Sequence, residues 1–137
     1  VARFIGSMNI LEGTVRKEQV QVGAMEFPAP GFTDGLALRV GFRPYYVKVA
    51  EDPAHYRLQA KLRHIYFLGV AYRLEIETSD GLILRSRMNK EEFRRHRFEE
   101  GRTVSFAVTH FRFLPQEGMP ALPSTAPGAP SSGPLTP

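Results

Sequence analysis

Glu75 and Glu77 stand two positions apart with Arg73 beside them, a spacing that puts two carboxylates on one strand face as acid/base pairs require. The same spacing describes a solvated sheet face whose charges pair across the ladder with Arg85 or Arg87, and that is the reading taken here. His55, His64, His96 and His110 show neither His-x-x-x-His spacing nor a carboxylate pattern that would assemble a metal site, so they read as structural or surface residues. His110 follows the parity of Val104, Phe106 and Val108, which points it at the rim of the core. The strongest charge feature runs from Arg85 to Arg102. There Arg85, Arg87, Lys90, Arg94, Arg95, Arg97 and Arg102 face Glu91, Glu92, Glu99 and Glu100, with Phe93 and Phe98 interleaved. Basic residues around exposed rings could neutralise phosphates and stack single-stranded bases. The glutamates cancel more than half of that field, so a solvated helix and an interface are expected there and nucleic acid is not the expected partner.

Other chemistries are excluded more directly. Neither the phosphate-cradling Gly-x-x-x-x-Gly-Lys-Ser/Thr nor Gly-x-Ser-x-Gly occurs, and there is no cysteine for a thiol nucleophile, a disulfide or a Cys-ligated zinc. No catalytic residue, metal site or cofactor is expected in this segment, and it would not hydrolyse ATP alone. The 137 residues carry 18 Lys and Arg against 14 Asp and Glu, a net charge of +4, with 42% hydrophobic residues. That describes one globular, mildly basic domain rather than a collagen, a coiled coil or a disordered chain. The longest apolar-rich run, Ile65 to Tyr72, is far short of the roughly 18 residues a membrane-spanning helix needs. Val1 to Ile10 lacks the basic-then-apolar plan of a signal peptide and does not start with Met, so a fragment of a longer polypeptide is expected.

The elements that must position these residues are mostly strands. From Val70 to Thr78, Val70, Tyr72, Leu74, Ile76 and Thr78 share one face, while Ala71, Arg73, Glu75 and Glu77 share the other. Asp80-Gly81 then predicts a type I′ turn, with Leu82 to Met88 returning antiparallel. Leu58, Ala60 and Leu62 lie on one parity and Ile65 and Phe67 on the other, which predicts a bulge at Arg63-His64. Parity changes again between Val108 and Phe111, implying a bend before Phe111 and Phe113. Upstream, Asn9 to Lys17, Val20 to Phe27 and Leu36 to Phe42 read as strands separated by Gly23 and by Pro28-Ala29-Pro30-Gly31. Pro44 ends the third, and Tyr45 to Val49 restarts on a sheet edge. One helix is expected, Lys90 to Arg95, with Asn89 as N-cap and Glu91 and Glu92 in its first turn. After Leu114 come Pro115, Pro120, Pro123, Pro127, Pro130, Pro134 and Pro137, with only Met119, Leu122 and Leu135 as large apolar residues. Ordering costs about 1–2 kcal/mol per residue, more than three side chains could return, so 115–137 is expected to be a disordered Pro-rich tail. The fold class is therefore all-β: an OB-like barrel of short antiparallel strands with one short helix.

Three segments in order carry a specific resemblance. They are Phe4-Ile5-Gly6-Ser7-Met8-Asn9-Ile10-Leu11-Glu12-Gly13, then Val40-Gly41-Phe42-Arg43-Pro44, then Leu62 to Gly81 with its Tyr66-Phe67-Leu68-Gly69 and closing Asp80-Gly81. Together they resemble the TOBE domain, the C-terminal OB-like regulatory module of ATP-binding subunits in ABC importers. The motif positions are Phe4, Gly6, Asn9, Gly13, Arg43, Pro44, Gly69 and Gly81. Tyr45 departs from the pattern, standing where the family usually has an acidic residue.

The resemblance implies that 1–8 is a junction from an ATPase domain that would hold ATP and Mg, that 9–114 is the regulatory domain, and that the tail lies outside the module. It further implies a non-catalytic, dimer-stabilising role at the cytoplasmic side, peripheral to the inner face of the membrane. The partners would be the ATPase domain of the same parent chain, a second copy of the subunit and, indirectly, the permease. Phe111, Phe113 and Tyr46 would supply the dimer surface or else complete the core. Some relatives bind small oxyanions such as molybdate between subunits, for which Ser7, Asn9, Arg43 and Lys61 are the matching donors, although Arg43 can equally satisfy carbonyls at a strand end. The alternative function is an OB-type module for single-stranded nucleic acid or a small oxyanion.

Overall fold

The computed structural model describes residues 3–114. The 115–137 tail reading and the first two residues of the junction lie outside the described residues. The chain forms strands β1 (Arg3–Ile5), β2 (Met8–Arg16), β3 (Gln19–Val22), β4 (Met25–Pro28) and β5 (Ala37–Phe42). A 3-10 turn at Pro44–Tyr46 precedes β6 (Val47–Ala50), β7 (Leu58–Phe67), β8 (Ala71–Glu77) and β9 (Ile83–Asn89). Helix α1 (Lys90–Arg94), β10 (Thr103–Val108) and β11 (Arg112–Leu114) complete it. One sheet runs β11-β5-β2-β3-β4, with β1 added against β2; the other runs β6-β10-β7-β8-β9. The two curl around one core in which Phe27, Phe106, Ile10, Leu11, Leu62, Leu74 and Leu84 are fully buried. This is the expected OB-like barrel of short antiparallel strands.

Closure depends on buried side chains acting where ladders end. The hydroxyl of the wholly buried Ser86 on β9 donates to the Val47 carbonyl of β6 at 2.6 Å, tying together the two outer strands of the second sheet. Asn9 on β2 joins the sheets. Its amide donates to the carbonyls of Phe42 (3.3 Å) and Arg85 (3.0 Å), and its Oδ1 accepts from the Arg85 N–H (2.8 Å). The side chain thus does for the β9 backbone what a neighbouring strand's peptide would do. Gly13, further along β2, lets β3 lie close: a Cβ there would sit 2.6 Å from Val20 Cγ1.

Local expectations are met in part. The bulge falls between Leu62 and His64, and Asn89 caps α1 by accepting from the Glu92 N–H at 2.7 Å. The expected bend after Val108 is a crossing between sheets, since β11 pairs with β5 rather than continuing β10. Val20 to Phe27 is a hairpin of two strands, not one, turning at Gly23-Ala24. Pro44 opens a 3-10 turn, so the following strand starts at Val47, not Tyr45. Val70 projects into solvent instead of joining the apolar face of β8, because that strand begins only at Ala71.

The turn at Asp80-Gly81 is not type I′. Only Gly81 has positive φ (88°), and Thr78 pairs with Leu82 through the Thr78 N–H to Leu82 carbonyl bond (2.9 Å), leaving a three-residue loop with glycine in the left-handed position. The type I′ geometry occurs instead between β2 and β3, at Lys17 (φ 51°) and Glu18 (φ 60°). Tertiary bonds hold these two non-glycine residues there: the Lys17 N–H donates to Asp34 Oδ1 (2.9 Å), and the Ala29 N–H donates to the Glu18 carbonyl (2.8 Å). Lys17→Gly keeps both bonds and relieves about 1 kcal/mol of left-handed strain, partly offset by glycine's extra unfolded-state entropy. We expect a net gain of up to about 0.5 kcal/mol, read as a higher urea midpoint; an unchanged or lower midpoint would show that the turn carries no strain.

Candidate functional site

Where β5 ends, the chain passes through Arg43 into the 3-10 turn at Pro44–Tyr46, whose Tyr46 N–H bonds the Arg43 carbonyl at 2.9 Å. The crossing from β10 to β11 lies against this turn. There the Thr109 N–H donates to the Tyr46 carbonyl (2.9 Å), and the Thr109 hydroxyl donates to it as well (3.3 Å). Between the two segments is a half-open pocket of about 270 Å³ lined by Met8, Phe42, Arg43, Tyr46, His110, Phe111 and Arg112. Beneath it Phe42 and Phe111 are buried core residues packed around Phe27, with ring centroids 6.1 and 5.1 Å from that ring, and the half-buried Met8 and Tyr46 supply its accessible apolar surface. The Tyr46 and His110 rings lie 4.5 Å apart on its wall, and Arg43, His110 and Arg112 are exposed at its rim.

Register explains the convergence. Gly41 pairs with Arg112, so Phe42 and Arg43 follow β5 toward Phe111 and His110 on the opposing strand. Alternation along an antiparallel pair then sends Phe42 and Phe111 inward and Arg43, His110 and Arg112 to the rim. His110 is consequently exposed at this rim rather than turned to the core. No acidic residue lines the pocket.

The other expected donors lie elsewhere. Asn9 is wholly buried by its bonds to Phe42 and Arg85. Lys61 is exposed on β7 and lines a different pocket with Arg63, Glu77, Thr78 and Thr103. Ser7 is exposed in the β1–β2 turn. Arg43 alone of the four lines the pocket at the β5 end. Arg112 was not singled out in the sequence, because nothing local shows that β11 pairs with β5.

The carboxylate pair on β8 is a charged sheet face. Glu75 meets Arg85 at 3.3 Å across the β8–β9 ladder, while Glu77 is held by Arg63 of β7 at 2.6 Å rather than by Arg87. Phe93 stacks on Tyr72 at 3.8 Å and lies 5.6 Å from Phe98, both packed onto the core, so neither ring is free as a base-stacking platform. Tyr56, near α1, titrates above the usual phenol range because burial disfavours its anion and the Glu92 carboxylate opposes it further. Among the described residues, no group of three or more His, Asp or Glu side chains could hold a metal ion, and no helix is long and apolar enough to cross a membrane.

Comparison with known proteins adds identity to this geometry. No curated protein matches the chain. Among solved structures it is similar to the cytoplasmic molybdate-binding protein ModG, in a crystal form with molybdate bound. The sequences are 16% identical, the TM-score is 0.59, and the match covers 74% of this chain and 90% of the other. At that identity the likeness speaks for the barrel and its topology. The TOBE domain family model matches residues 40–112, which runs from β5 through β11 and takes in both sides of the pocket. The chain therefore belongs to the TOBE domain family.

Proposed function

We propose that this chain is the regulatory, dimer-stabilising lobe of the ATP-binding subunit of an ABC importer, non-catalytic in itself and working at the cytoplasmic side of the membrane beside an ATPase domain that holds ATP and Mg. The observation that carries a docking role is the β7–β8 hairpin tip. Tyr66 (39% exposed), Phe67 (59%), Leu68 (37%) and Val70 (72%) stand out from the barrel, and Tyr45 (58%) lines a shallow pocket with Val70. Exposed apolar side chains in such density mark an interaction surface. Phe111 and Phe113, by contrast, pack on Phe27 and Phe32 and complete the core.

A second copy fits the tip. A two-fold contact must be self-complementary, and here both signs of charge flank the apolar residues: Arg87 and Glu92 line the pocket with Val70, and Lys90 lies 5.7 Å from the Phe67 ring. Light scattering on the chain is expected to show a concentration-dependent dimer. The exposed double substitution Phe67→Ser with Val70→Ser should abolish it at unchanged thermal stability. A dimer that survives the substitution, or a wild-type chain that stays monomeric, would overturn this surface. The transporter assignment is tested separately by the coding sequence upstream of Val1, where a phosphate loop and an ABC signature motif are expected in frame; a frame without them would refute it.

A second reading, an oxyanion-binding module, is favoured by the likeness in fold to a molybdate-binding protein. In that case Ser7 and Lys61, both exposed, would be the donors at contacts between copies.

A further inference from the structure

We propose that the pocket between the end of β5 and the β10–β11 crossing binds a small organic phosphate, its phosphoryl group at the Arg43–Arg112 rim and its apolar body against Met8 and Tyr46. This site lies within one chain, is lined by neither Ser7 nor Lys61, and does not depend on the transporter assignment.

Charge comes first. Arg63, Arg85 and Arg102 each have a glutamate partner, whereas no ion pair among the described residues uses Arg43 or Arg112. Other exposed arginines also lack carboxylate partners. Arg43 and Arg112 differ in opening onto one concave pocket that no acid lines. Two guanidinium side chains lining one pocket favour a dianion, and a phosphate monoester carries about −1.5 to −2 near neutral pH.

The apolar surface then sets the class of ligand. The half-buried Met8 and Tyr46 give the phosphoryl site an apolar flank, with the His110 ring 4.5 Å from that of Tyr46 and tilted 41° to it, while Phe42 and Phe111 lie buried beneath. An inorganic oxyanion would leave those surfaces uncovered, while an aromatic or aliphatic body attached to the phosphate would cover them. About 270 Å³ suits a compact metabolite rather than a dinucleotide. The hydrogen bonds from Thr109 to the Tyr46 carbonyl hold the walls in place before any ligand arrives.

Phenyl phosphate is the probe, with inorganic phosphate, molybdate and benzoate as comparators at constant ionic strength, and amide chemical shifts are the readout. Phenyl phosphate should perturb residues 42–46 and 108–112 and bind at least about tenfold more tightly than inorganic phosphate, a factor that burial of a few carbons supplies. Arg43→Gln and Arg112→Gln alter exposed side chains, and each should weaken binding about tenfold or more, as loss of a charge-assisted hydrogen bond does. Binding that is unchanged in both variants would overturn the proposal. So would shifts spread over the Arg85–Arg102 surface, which would report unspecific attraction. If molybdate or inorganic phosphate binds as tightly as phenyl phosphate, the organic part of the proposal fails; tighter binding of benzoate than of phenyl phosphate refutes the dianion argument.

Discussion

Phe27→Ala is expected to lower the unfolding free energy by about 3–5 kcal/mol, the range for removing a fully buried aromatic side chain whose neighbours cannot collapse into the space. Phe27 stands on β4, with Phe42 stacked on it and Phe111 meeting it edge-on. Phe111 in turn meets Phe113 at 5.6 Å, and Phe113 meets Phe32 at 5.4 Å, so a chain of rings runs from β4 to β11. The cavity left by alanine would open beneath the Arg43–Arg112 pocket. Urea denaturation at low temperature reads the stability loss. A loss under about 1.5 kcal/mol would mean that Phe42 and Phe111 relax into the space. Under conditions where the variant is still folded, phenyl phosphate should also bind it less tightly, since Phe42 and Phe111 would no longer be held in register beneath the phosphoryl site.

How legible this was follows from how far apart in sequence the partners lie. The β8–β9 hairpin, the bulge at Leu62/His64 and the Asn89 cap depend on neighbours within a few residues or on period-two patterning, and each was readable. The turn between β2 and β3 was not. Lys17 and Glu18 have no intrinsic preference for positive φ, and the bonds from Asp34 and Ala29 that hold them come from further along the chain. Asp80-Gly81 has the residues of a two-residue turn, but the Thr78–Leu82 pair closes the ladder one step earlier. The pocket was half legible. Arg43 lies inside a recognisable motif, whereas Arg112 and His110 reach it only through pairing of β11 with β5, a strand far back in the sequence.

The Phe4-to-Asn9 motif has a physical reason that its sequence conceals. Phe4 and Asn9 are paired across the β1–β2 hairpin, and both engage Arg85 of β9: the guanidinium lies 3.9 Å from the Phe4 ring, while the Asn9 amide bonds the Arg85 backbone. Gly6, at φ 60°, makes the turn that sets the pair opposite one another. The resemblance and the donor chemistry of its amide offered Asn9 as an anion donor, yet its donors and acceptor are committed to the joint between the two sheets.

That commitment makes Asn9 a demanding polar position in the barrel. Asn9→Leu keeps the approximate volume but leaves the Arg85 N–H and the Arg85 and Phe42 carbonyls without this partner, at about 1–3 kcal/mol for each buried group left unsatisfied. We expect a loss of about 3 kcal/mol or more in urea denaturation, with local opening at the β2–β9 joint visible in hydrogen exchange at Arg85. Asn9→Asp is the sharper test because it changes only the donor. Its carboxylate could still accept from the Arg85 N–H, but an ionised oxygen would face the carbonyls of Phe42 and Arg85 in a place with no exposure to water. Burial raises the folded-state pKa of the new acid above its unfolded value of about 4. The folded state therefore binds more protons than the unfolded one, so stability must fall as pH rises through that window. Relative to wild type, the Asn9→Asp variant should be least impaired at about pH 4 and progressively worse toward about pH 7. A difference independent of pH would show that the amide is not facing those carbonyls and that the two sheets are joined by other means.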